Sequence, residues 1–178
     1  MRYGDVFMLA FAMTLLRWIL MGYAAWRDAR TRTFPNGLAA TFVLVCAAEA
    51  FLNGGLTHLA IPDGLGGLQE GGFIVASGIQ ALAVNATAAT VVVAVLFAFE
   101  LTWRHFRKTP GIGMGDLKFL FAFMLAEPVK GLIAFMLGIV ALALTGLATK
   151  RSALPLLPFV VGSYFAILSV NLFVSLSM

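Results

Sequence analysis

The sequence predicts an all-α membrane protein, a bundle of about six transmembrane helices, and three observations predict it. Of the 178 residues, 61% are hydrophobic and only 11% are charged, against about 45–50% and about 25% in soluble domains. A water-soluble fold would leave most of these side chains without a core. The apolar residues also form continuous runs, as from Ala88 to Phe99, rather than the weakly alternating segments of about 10 residues that build a β-barrel. Finally, basic residues cluster between alternate runs instead of along one face, which points to membrane topology and away from nucleic acid.

The chain reads as a single domain over 1–178, with no polar stretch long enough for a soluble appendage. A spanning helix needs about 20 mainly apolar residues. The first is expected over 6–26. Gly22-Tyr23-Ala24 offers a signal-peptide cleavage point, but the weakly basic start, the length and Arg17 within the apolar run favour a retained helix. The second is expected over 37–57 and holds the only cysteine, Cys46. One cysteine excludes an intrachain disulfide and a zinc-type cysteine cluster, and its apolar setting predicts a buried, unreactive thiol.

Residues 61–72, with five glycines, Asp63 and Glu70, read as a loop. The third span is expected over 80–101, the fourth over 112–126, the fifth over 131–149 and the sixth over 155–176. Glu127-Pro128 breaks the fourth from the fifth in a tight hairpin, because proline lacks an amide donor and clashes within a helix. The fourth is expected to begin before Gly113 if it is to reach full length.

Arg27, Arg30 and Arg32 follow the first span, Arg104, Arg107 and Lys108 the third, and Lys150 and Arg151 the fifth. Cytoplasmic loops carry an excess of Lys and Arg, so these three loops belong on the cytoplasmic side. Both termini then lie on the non-cytoplasmic side.

Ionisable residues at membrane depth are costly and are functional candidates by default. Arg17 and Glu49 lie on consecutive antiparallel spans at comparable distances from the loop joining them, which predicts a structural ion pair. Asp28 ends the first span and Asp116 begins the fourth, so the topology brings both to the cytoplasmic surface. Asp28 alone reads as a solvated interfacial acid among arginines. Asp116 follows Gly111-Ile112-Gly113-Met114-Gly115, where glycines at every second position permit unusual backbone angles and close approach of another chain. That spacing is equally open to a flexible helix start or a close helix contact. Two carboxylates brought together do not readily both ionise. One then acts as a base on water while the other polarises a peptide carbonyl and serves the leaving amine.

Asp28-Ala29-Arg30-Thr31-Arg32-Thr33-Phe34-Pro35-Asn36, followed far downstream by Gly113-Met114-Gly115-Asp116-Leu117-Lys118, resembles the type IV prepilin peptidase family. The resemblance extends to the six-span layout and to Leu154-Pro155-Leu156-Leu157-Pro158-Phe159 at the start of the last span. It implies an aspartic endopeptidase of the inner cell membrane, with Asp28 and Asp116 as the catalytic pair and no cofactor or metal. The implied substrate is a prepilin-like precursor, cut at the cytoplasmic face before its hydrophobic segment. Gly113, Gly115 and Lys118 match the second motif, and Pro35 and Asn36 the first. Proline and asparagine also suit a turn that starts the second span, and an interfacial lysine also snorkels. Phe34 stands where many members carry a smaller aliphatic residue. The short first cytoplasmic loop and lone Cys46 imply a short form without methyltransferase activity. Two other classes use the same acids: a proton-coupled small membrane transporter, and a non-enzymatic pilus or secretion assembly subunit in which the acids pair with arginines.

Overall fold

The computed structural model describes residues 3–59, 70–108, 112–150 and 154–177. They form six helices: α1 (Tyr3–Thr31), α2 (Asn36–Leu59), α3 (Glu70–Arg107), α4 (Met114–Ala126), α5 (Pro128–Thr149) and α6 (Leu157–Ser177). No strand occurs among the described residues. Each expected span overlaps one helix, and α1, α2, α3, α5 and α6 are long and apolar enough to cross a membrane. Their outer faces expose Leu44, Phe106, Leu147 and Phe173 at 70% or more, a surface matched to hydrocarbon rather than water.

Helix α3 is much longer than its expected span, and α4 starts later than expected. Helix α3 runs for 38 residues, about 57 Å at 1.5 Å per residue, and so projects past a hydrocarbon core of about 30 Å. It takes in positions 70–72 of the expected loop; the rest of that loop lies outside the described residues. Helix α4 does not begin before Gly113. Gly113 is extended, with φ −70° and ψ 142°, and the helix starts after it at Met114. At 13 residues, about 20 Å, α4 is shorter than the hydrocarbon core.

The shortness of α4 is tolerated because protein surrounds it. It packs against α2, α3 and α5, and Leu117, Phe119, Leu120, Ala122, Phe123, Met124 and Leu125 are all buried. Phe42 of α2 stacks on Phe119 at 5.1 Å, Phe119 meets Phe123 at 5.8 Å, and Phe123 meets Tyr164 of α6 edge-on at 4.8 Å. This row of rings carries the core from α2 through α4 to α6. Cys46 is fully buried beside it. The α4–α5 connection is the expected tight hairpin, with Glu127 alone between Ala126 and Pro128, and the proline at the first helical position, where no amide is needed.

Helices α1 and α3 stop at a residue in the left-handed region, Arg32 at φ 53° and Lys108 at φ 56°, and α5 stops at Lys150, at φ 52°. Glycine is the usual choice for such a stop. A cation there meets the negative end of the helix dipole instead, so the basic clusters read as topology signals in the sequence are also helix stops.

Candidate active site

Asp28 lies in the last turn of α1 and is 8% exposed. Its Oδ2 accepts the Leu157 amide at 3.2 Å. The first amides of a helix have no partner within it, and a carboxylate at that positive end is favoured. Asp28 therefore caps α6 from α1. The Leu154-Pro155-Leu156 approach brings α6 to it, with Leu156 O accepting the amides of Phe159 and Val160.

Asp116 is the third residue of α4 and is half-buried. Its Oδ2 accepts the Gly113 amide at 3.2 Å, the carboxylate half of a capping box. The motif glycines serve space rather than unusual backbone angles. A Cβ on Gly113 would lie 2.9 Å from Asp116 Oδ2, and one on Gly115 would lie 3.0 Å from Phe34 Cβ. The chain that approaches Gly115 is thus the protein's own segment 32–35. Phe34 also meets Phe119 edge-on at 6.0 Å, which accounts for a large residue at this position.

The two aspartates line one cavity of about 600 Å³ together with Arg32 and Glu100. Its remaining walls are apolar, among them Phe99, Trp103, Met136 and Leu156. An apolar wall makes it costly for both acids to be ionised at once. Two acids on the wall of one cavity are the groups that general acid–base chemistry needs. Among the described residues no group of three His, Cys, Asp or Glu is placed to hold a metal ion.

The other motif residues form an adjoining contact between α2 and α4. Lys118 Nζ donates to Asn36 Oδ1 at 2.7 Å, and Pro35 O accepts the Ala39 amide at 3.0 Å as the opening turn of α2. Lys118 also edges a second, almost wholly apolar cavity of about 490 Å³ between α2, α3 and α4. Gly111 lies outside the described residues.

Arg17 and Glu49 do meet, with Nε 3.0 Å from Oε2, though as a contact of charges without hydrogen-bond alignment. Thr14 Oγ1 donates to the other Glu49 oxygen at 2.8 Å. Glu127, expected in the hairpin, joins this group as well: its Oε2 accepts from Tyr164 at 2.7 Å and lies 3.5 Å from Arg17 Nη1, while Arg17 Nη2 donates to Tyr164 at 2.9 Å. Glu100, to which the sequence assigns no role above, is 1% exposed and lines the cavity. The signal was present: an acid ends the run Val95-Leu96-Phe97-Ala98-Phe99, as anomalous as Arg17 or Glu49.

No family model, curated protein or solved structure matches the chain.

Proposed function

We propose that this chain is a membrane aspartic endopeptidase that removes the leader of type IV prepilin-like precursors through Asp28 and Asp116. The observation that carries the proposal is that acids from α1 and α4, each within one of the two motifs, line one cavity. In the proposed reaction the ionised member takes a proton from water as its oxygen attacks the scissile carbonyl carbon. The protonated member hydrogen-bonds the carbonyl oxygen. Collapse of the tetrahedral adduct breaks the C–N bond, and a proton passes to the leaving amine. The basic stops of α1, α3 and α5 favour the cytoplasmic face for this end of the molecule. A precursor with a basic leader before an apolar helix suits a cavity that combines carboxylates with apolar walls.

A second reading has its own support. Each aspartate accepts a helix-terminal amide, which is what a purely structural acid in an assembly subunit would do. Asparagine separates the two, because it caps helices about as well as aspartate but supplies neither base nor acid. Asp28→Asn and Asp116→Asn, co-expressed with a prepilin-like precursor, are expected to remain in the membrane and lower processing by about 10²–10⁴-fold. Full processing by either variant would exclude the dyad.

A further inference from the structure

Asp116 sits on the first turn of a short helix preceded by non-helical residues, so its position depends on what anchors that turn. Within α4 the restraints are local: Asp116 N to Gly113 O at 3.0 Å, Leu117 N to Gly113 O at 3.3 Å, and Gly113 N to Asp116 Oδ2. All of them would move with the turn. A tie to another element comes from Glu100 on α3, whose Oε2 accepts the Ile112 amide at 2.7 Å. Its Oε1 accepts Arg104 Nε at 2.6 Å one turn further along the same helix. A side chain 1% exposed holds few rotamers, so its oxygen is kept within reach of the Ile112 amide. The Ile112 amide is part-buried, and Glu100 supplies its acceptor.

We infer that Glu100 is a positioning residue, fixing the turn that carries Asp116 by holding the Ile112 amide from α3. The inference rests on the protease reading for its functional consequence, but its structural content stands apart from it. What matters is the reach of the side chain. Arg104 is 44% exposed at its side chain and can turn to solvent if the charge is removed.

The test compares Glu100→Gln, which keeps length and an acceptor but loses charge, with Glu100→Asp, which keeps charge but withdraws the acceptor by about 1.5 Å. Backbone amide exchange over residues 112–116 is read in the full chain in nanodiscs, with precursor cleavage in parallel. Positioning through reach predicts that E100Q retains wild-type protection, whereas E100D exchanges about tenfold faster. It also predicts that E100D loses about 10–100-fold in kcat, KM staying within about twofold, because a misplaced group costs rate rather than binding. The opposite ranking, with E100D protected and E100Q not, would show that charge balance with Arg104 is what matters and overturn the inference. Unchanged exchange in both variants would overturn it too. Absence of cleavage by the unmodified chain would remove the protease reading instead, and the exchange comparison would still decide the role of Glu100.

Discussion

The Leu157 amide donates to Asp28 Oδ2 at 3.2 Å, so the acid that ends the first helix also starts the last one. Removing the oxygen leaves that amide unpaired, whereas an asparagine supplies it again. Asp28→Ala is expected to lower stability by about 0.5–2 kcal/mol, and Asp28→Asn by much less. Thermal unfolding in detergent, followed by the helical signal, checks this. Equal losses in the two variants would show that the cap is not what Asp28 contributes.

A pair of acids sharing one proton works only while one is ionised and the other is not. Precursor cleavage is therefore expected to follow a bell-shaped pH profile. Activity falls on the acid side as the base takes up a proton, and on the alkaline side as the acid loses its own. Cleavage that keeps rising with pH, without an alkaline limb, is incompatible with this mechanism.

Gly115 faces Phe34 at a distance that leaves little room for a methyl group. Gly115→Val is expected to destabilise the fold by about 1–3 kcal/mol through overpacking, and Phe34→Ala in the same chain to recover part of that loss. A double-mutant cycle measures the coupling. Strict additivity would mean that the two residues do not press on each other.

Arg17 carries the charge that balances Glu49 and helps balance Glu127. Arg17→Met strands a buried carboxylate and is expected to cost about 3–5 kcal/mol. Combining it with Glu49→Gln should restore part of the stability, since no buried charge is then left alone at that position. Denaturant unfolding of the single and double variants gives the comparison, and a double variant worse than the single one would contradict it.

Much of this arrangement was legible in the sequence because membrane helices announce themselves by length and apolarity. The runs predicted six helices, Glu127-Pro128 predicted the hairpin, and charge spacing about the first loop predicted that Arg17 meets Glu49. The rest depended on which helix packs where. In a lipid-facing bundle both the inner and the outer side of a helix are apolar, so periodicity does not tell core from lipid as it does in water. That is why the central position of α4 could not be read, nor the joining of Glu127 to Arg17 through Tyr164. Glu100 was missed for a different reason. It stands next to the Arg104 cluster and was absorbed into the end of a span, while its partner, the Ile112 amide, leaves no mark in residue type. The glycines of the second motif were expected to allow both unusual backbone angles and close approach of another chain; Gly115 provides the close approach, to Phe34, whereas the extended Gly113 needs only room for the carboxylate folded back over it.

Arg32, Lys108 and Lys150 terminate α1, α3 and α5 in a conformation that glycine would adopt with less strain. Loops rich in such cations also resist being carried across a bilayer during insertion. On the proposed topology, one side chain thus serves both as a helix stop and as an orienting signal. A glycine substitution that relaxed the turn would weaken the orienting signal in the same step, so local backbone comfort and faithful biogenesis are opposed at these three positions.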